Sequence, residues 1–405
     1  MAETIHSGSF SCSIEEKLKM AKNKFITRGN DTTMATIVCG IVFCIFSFIY
    51  LYFYQDDLLA MEQHILSDGL TKYNRLVGAL IITLLAWLLQ YGIDIATRRS
   101  VKFPALNYFP SALLIAILTD ISPDIDHGCH SLKWLWLAPL TLTAWGIGSY
   151  ASACMLANNT EHDRKSPFRI IGENLIIMFF IMIFIGVTAN TDRRFHKRMK
   201  IEDLIAEEYY DKALEEKTER KDADSTTTML RAYALSKKDM LGEKLFEYPV
   251  CGRSEALLPN GTSVRCMLCN EADIYRHVAR PLKQRKKPMD YLLWMRKHGY
   301  AKRPLEDYLL CGYLLDRQID LFAKEIAKDD SLGHKKLPKH YREALVLYNH
   351  LRSNPIVTYH NDVMEADYLD MQTIIKSNPN ATKRKALVED AYGNTYWYYY
   401  FYGNK

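Results

Sequence analysis

Long apolar runs fill the first half of the chain, and the second half contains none. Since a helix of about 20 apolar residues crosses a bilayer, this pattern predicts a transmembrane bundle of about five spans within residues 34–190. The third run is short and contains two prolines. The five runs are Met34–Tyr54, Leu76–Ile93, Phe103–Thr119, Leu132–Leu156 and Ile170–Val187.

Residues 1–33 precede the first apolar run and carry mixed apolar and basic positions. Ile14, Leu18 and Phe25 recur at helical spacing among lysines such as Lys17 and Lys24. This pattern is typical of a basic amphipathic helix on an anionic membrane surface. A solvated, cytoplasmic lead-in to the first span is the alternative interpretation.

Residues 191–405 show helical periodicity, interrupted by prolines and glycines. Short helix pairs of this kind predict an all-α fold with a soluble, tetratricopeptide-like α-solenoid. No clean 34-residue period is present, so an irregular helical bundle is the alternative. The predicted helices are Ile201–Lys217, Ser225–Lys238, Cys266–Ala279, Met289–Lys297, Pro304–Leu314, Arg317–Lys328, Pro338–Ser353, Asp362–Lys376 and Thr382–Ala391.

The aromatic tail Tyr396–Tyr402 ends this region. Seven consecutive aromatic residues are too apolar to lie free in water. We expect the tail to pack on the last helices or to lie at the membrane interface.

Charge is nearly balanced in both halves of the chain. Residues 1–190 carry 14 Lys/Arg and 15 Asp/Glu, and the remainder carries 38 and 32. This small excess argues against a nucleic-acid partner, which would require a basic face. Nine cysteines, several within apolar runs, do not indicate a disulfide framework.

The short loops predict the orientation, because basic residues favour the cytoplasmic side. The leader, the second loop and the fourth loop are richer in Lys and Arg than the first and third loops. The amino terminus should therefore be cytoplasmic, and five spans would place residues 191–405 in the periplasm. The basic stretch Arg193–Lys200 disagrees with this placement, and a bundle of four spans would reverse it.

Three polar clusters are candidate sites. The loop Asp120–His130 offers carboxylate, imidazole and thiol donors, among them Asp124, Asp126, His127 and His130, that would suit a divalent metal. An acidic, solvated loop without a metal is the alternative.

The pair Cys266 and Cys269, with Cys251 upstream and His277 downstream, resembles a zinc knuckle. The alternative is an ordinary helix start with two partly buried thiols.

The pair Asp56 and Asp57 follows the first span directly. Membrane glycosyltransferases acting on lipid-linked sugars place acidic pairs in this position, where a carboxylate serves as a base or a metal ligand. The alternative is an acidic loop without catalytic function.

Six further segments are distinctive: Ser122–Asp126, Arg231–Pro249, Asp307–Asp316, Leu337–Leu345, His350–Pro355 and Tyr392–Tyr398. They resemble segments of a family of polytopic membrane proteins of unknown function from Gram-negative gut anaerobes. The resemblance implies an inner-membrane bundle with an extracytoplasmic, tetratricopeptide-like domain, and it transfers no catalytic residue.

The sequence thus predicts a multi-pass protein of the bacterial inner membrane that binds no cofactor. Its partners would be the lipid bilayer and a protein or peptide bound by the helical domain. The first functional hypothesis is a scaffold or interaction protein. The alternative is a membrane enzyme acting on a lipid-linked or envelope substrate through Asp56, Asp57 or the Asp120–His130 loop.

Overall fold

The computed structural model describes residues 33–97, 103–125, 133–158, 167–281, 286–328 and 337–403. Over these residues the chain is helical, and no strand occurs among them. It divides into two compact units, Met1–Thr191 and Asp192–Lys405. The leader predicted at residues 1–33 lies almost wholly outside the described residues.

Six helices form the described part of the first unit. They are α1 Thr33–Tyr54, α2 Asp56–Leu66, α3 Arg75–Ala96, α4 Phe109–Thr119, α5 Lys133–Asn158 and α6 Pro167–Thr188. The last turn of α1, Tyr50–Tyr54, is a π-helix.

Three helices of this unit are long and apolar enough to cross a membrane: Thr33–Tyr54, Arg75–Ala96 and Phe168–Thr188. Their outer faces are apolar. On α1, Ile37, Ile41 and Ile45 repeat every four residues, and each is about half exposed. An apolar face of this kind is stable in lipid and costly in water. These helices therefore indicate a membrane-associated chain.

The five-span bundle is not confirmed. The segment Pro104–Thr119, here called the central segment, is apolar but shorter than the three long helices. Its first turn, Pro104–Tyr108, is a 3₁₀-helix that begins at a proline. The segment is also largely buried, because it packs against α3, α5 and α6. Burial against other helices is sufficient to explain why this short segment is apolar. Its composition is therefore no evidence that it crosses the bilayer.

Twelve helices form the described part of the second unit. They are α7 Arg193–Ala206, α8 Tyr210–Glu215, α9 Ser225–Lys237, α10 Leu241–Lys244, α11 Glu271–Val278, α12 Pro288–Lys297, α13 Pro304–Leu315, α14 Ile319–Ile326, α15 Lys339–Leu351, α16 Asp362–Ser377, α17 Ala381–Tyr392 and α18 Tyr396–Tyr402.

The residues at the amino-terminal ends explain where many of these helices begin. Prolines occupy the first positions of α12 and α13, where a missing N–H costs nothing. Side-chain oxygens cap other helices by accepting backbone N–H groups. The capping residues are Asp192, Asp224, Asn270, Asn361, Asn380 and Thr395.

Two predicted helices differ from the structure. The predicted helix Ile201–Lys217 is divided into α7 and α8, and Glu208 between them has a φ of 62°, in the left-handed region. The predicted start at Cys266 is wrong as well, because α11 begins at Glu271.

Helices distant in sequence pack together in the second unit. Helix α13 contacts α10, α11, α12 and α14, and α15 contacts α10 and α18. A Cβ atom at Gly242 in α10 would lie 2.5 Å from the Tyr341 ring of α15, so glycine allows this close approach. In a regular solenoid each repeat contacts only its neighbours. The tetratricopeptide-like solenoid is therefore not confirmed.

The aromatic tail forms α18 and packs on the preceding helices. Tyr396, Trp397, Tyr398 and Tyr399 are buried. The Trp397 indole Nε1 donates to the Glu343 carbonyl at 2.7 Å, which fixes the tail on α15. Of the two expectations for the tail, packing on the last helices is the one observed.

Candidate anion-binding pocket

Asp56 and Asp57 begin α2 and are paired with a single arginine. Arg75, at the start of α3, approaches the Asp56 carboxylate to 2.8 Å and the Asp57 carboxylate to 3.2 Å. Both aspartates are less than a tenth exposed. In this arrangement the two carboxylates compensate the arginine charge and hold α2 to α3. A general base would instead be a carboxylate free to accept a proton.

Only part of the loop Asp120–His130 lies among the described residues. Asp120 accepts from Lys133 Nζ at 2.8 Å and from Trp134 Nε1 at 2.7 Å, which holds the loop to the start of α5. Asp124 is exposed. Asp126, His127, Cys129 and His130 lie outside the described residues.

Within the described ranges, no three His, Cys, Asp or Glu side chains are grouped so that they would hold a metal ion.

Cys266 and Cys269 flank a loop that binds a buried carboxylate of its own chain. Glu202 Oε1 accepts the backbone N–H groups of Met267, Leu268 and Cys269 at 2.5, 2.7 and 3.1 Å. Glu202 is fully buried, and this burial raises its pKa above the usual range, against the effect of the three N–H groups. Burial likewise raises the pKa of both thiols, which makes them poor nucleophiles.

The same loop forms one wall of a cavity of about 860 Å³ in the second unit. The other walls come from the α7–α8 turn, α9, α11 and the start of α13. Charged and polar side chains dominate the lining. The basic group is Lys237, Arg276, His277, Lys302 and Arg303, and the acidic group is Glu208 and Asp273.

Two of the pocket cations are neutralised nearby and two are not. Arg276 is paired with Asp273, and Arg303 lies 3.6 Å from Asp239. Lys302 Nζ donates to the Arg276 carbonyl. Lys237 Nζ lies 5.3 Å from the centre of the Tyr233 ring. In the described part of the chain, neither lysine forms an ion pair with a carboxylate, so the pocket carries excess positive charge.

The field of these lysines acts on His277. The imidazole Nε2 lies 2.9 Å from the Ser236 hydroxyl, and the ring meets Tyr233 edge to face at 5.5 Å. Burial, and then the positive charges of Lys237 and Lys302, lower the His277 pKa to about 4. His277 is therefore neutral near pH 7, and an anion in the pocket would favour its protonation.

Little in the sequence indicates this pocket. From its sequence position His277 is only a candidate zinc ligand, and no motif distinguishes Lys237 or Lys302 from the other lysines. These residues lie far apart in the chain and share no recognisable spacing. Only the packing of α9, α11 and the start of α13 brings them together.

Comparison with known proteins identifies a family. No curated protein and no solved structure matches the chain. The model of a family of unknown function, DUF6057, matches residues 128–281 and 286–403, which is more than half of the chain. The chain therefore belongs to the DUF6057 family of unknown function.

Proposed function

We propose that this protein is a membrane-associated binding protein whose second unit takes up an acidic segment of a protein partner. The observation that carries the proposal is the excess positive charge of the pocket, supplied by Lys302 and by Lys237, which lies beside the ring of Tyr233. Carboxylates of a partner would pair with the lysines, while its apolar atoms would contact the tyrosine rings.

The size and lining of the pocket favour a peptide segment over a small metabolite. A volume of about 860 Å³ is near the upper end of small-molecule sites. Small-molecule sites, however, are mainly apolar with a few polar groups. Here Lys237, Arg276, Lys302 and Arg303 share the walls with Glu208 and Asp273. Charged groups on several sides suit a chain segment that carries several charges.

The test measures binding of fluorescent ten-residue peptides to the full-length protein in nanodiscs. An acidic peptide containing one tyrosine should bind more tightly than the same peptide with lysines in place of the acids. Its affinity should fall as NaCl is added, since salt screens exposed charges. Lys237→Glu and Lys302→Glu should each weaken binding about tenfold, because each replaces attraction by repulsion.

Lys385→Glu is the matched control, because Lys385 is exposed on α17 and does not line the pocket. It should leave the affinity unchanged. Equal binding of acidic and basic peptides, or equal loss in all three variants, would exclude the pocket as an acidic-segment site.

We also propose that the first unit spans the inner membrane five times, with the amino terminus in the cytoplasm and residues 191–405 in the periplasm. Three apolar helices and the distribution of Lys and Arg in the loops support this proposal. The two further spans would be the central segment and α5. The helical unit would then meet partners on the periplasmic side.

A further inference from the structure

Uncharged polar side chains are buried between α3 and the central segment. Gln90 and Asn107 are each 2% exposed, and Ser111 is fully buried. Among the described residues, Gln90 Oε1, Asn107 Oδ1 and Ser111 Oγ have no hydrogen-bond partner, whereas the Gln90 amide group interacts with the Tyr108 hydroxyl. Such atoms cost about 1–3 kcal/mol each unless a polar ligand binds them.

The register of the two helices brings these groups to two adjacent turns. Asn107 Nδ2 donates to Asp94 Oδ1 at 2.8 Å, which sets Asp94 on α3 opposite Asn107 on the central segment. Gln90 lies one turn before Asp94 on α3. Ser111 lies one turn after Asn107. Because helical residues four apart share a face, the antiparallel register places Gln90 opposite Ser111.

The backbone around these turns is irregular and is stabilised by other helices. The 3₁₀ turn Pro104–Tyr108 carries Asn107. Ala105 N–H donates to Asn174 Oδ1 of α6 at 3.0 Å, and the Trp145 indole of α5 donates to the Leu106 carbonyl at 2.7 Å. In membrane proteins, interrupted helices fixed in this way often supply ion sites. The turn is thus held in place, while Asn107 Oδ1 has no hydrogen-bond partner in the part of the chain that the structure describes.

We propose that Asp94, Gln90, Asn107 and Ser111 form a binding site for a monovalent cation of the sodium class. The donors are a carboxylate, two amide carbonyls and a hydroxyl, all hard oxygen ligands that suit such a cation. A single carboxylate compensates one positive charge. A divalent ion would retain a second, uncompensated charge in an apolar environment, which is costly.

The test compares thermal unfolding of the full-length protein in nanodiscs with NaCl or choline chloride at equal ionic strength. Sodium should raise Tm in a saturable manner, by about 5 °C at a hundredfold excess over Kd. Equilibrium binding of ²²Na⁺ to the same sample should saturate at one ion per chain.

Gln90→Leu, Ser111→Ala and Asp94→Asn should each remove the sodium-dependent shift and the bound ²²Na⁺. Three variants are used because any one of them can fail to fold. Tyr91→Phe is the matched control, since Tyr91 neighbours Gln90 in the chain but its side chain is 51% exposed. It should retain both signals.

Two results would overturn the proposal. The first is an equal Tm in sodium and choline. The second is a folded Gln90→Leu variant that keeps the wild-type shift. If sodium does not change the Tm of the wild type and Gln90→Leu is more stable than the wild type, the polar groups bind water and not a cation.

Discussion

The titration of His277 in the pocket makes the free energy of unfolding depend on pH, and the direction of its pKa shift gives the sign. An unfolded chain protonates His277 near pH 6.5, whereas the folded protein resists protonation until about pH 4. The unfolded state therefore binds more protons between these values, so the free energy of unfolding falls as the pH is lowered from 6.5 to 4. Above pH 6.5 both states are neutral, and this contribution vanishes.

His277→Asn should remove that contribution. Between pH 7 and pH 5, wild type should lose about 1–2 kcal/mol more of its free energy of unfolding than the variant. Urea unfolding of the full-length protein at the two pH values measures this difference. His298→Asn, an exposed histidine outside the pocket, serves as the control and should behave as wild type. Parallel pH profiles for wild type and His277→Asn would contradict the assignment.

At the scale of elements, the Glu202 carboxylate joins α7 to the loop that precedes α11. Three backbone N–H groups converge on one of its oxygens, within 3.1 Å. Glu202→Ala would leave all three N–H groups without an acceptor in a buried position. We expect the free energy of unfolding to fall by about 3 kcal/mol or more.

Glu202→Gln separates the effect of the acceptor from that of the charge. The amide oxygen still accepts the N–H groups, so the loss should be smaller than in Glu202→Ala. Glu207→Ala, an exposed change at the end of the same helix, should alter stability by less than about 0.5 kcal/mol. Denaturant unfolding followed by circular dichroism measures all three. Equal losses in the two Glu202 variants would show that the N–H contacts contribute little.

This contact also shows what the sequence could and could not predict. The helices that begin at Pro288 and Pro304 were predicted within one residue, because proline punctuation is local. The start at Cys266 was wrong, because the N–H groups of that loop bind Glu202, more than sixty residues earlier. The pocket depends on similar long-range packing, so neither its position nor its charge follows from any single segment.

On the scale of the whole molecule, the number of spans determines where each unit can find partners. With the amino terminus in the cytoplasm, as proposed, three spans and five spans both place residues 192–405 outside, whereas four spans place them in the cytoplasm. Three spans differ from five in the loop after the central segment, which faces the cytoplasm in the first case and the periplasm in the second. One reporter at the carboxy terminus and one in the loop after the central segment therefore suffice to distinguish the three topologies.

We expect the five-span result at both positions. A phosphatase fused after Lys405 should be active, and a fluorescent protein at the same place should be dark. Asp124 is exposed in the loop after the central segment, so Asp124→Cys, in a background with every native cysteine replaced by serine, should react with a membrane-impermeant maleimide in intact spheroplasts. An active phosphatase with an unreactive cysteine would mean three spans, and the central segment would then be a buried helix that does not cross. An inactive phosphatase would mean four spans and would move the search for acidic partners into the cytoplasm.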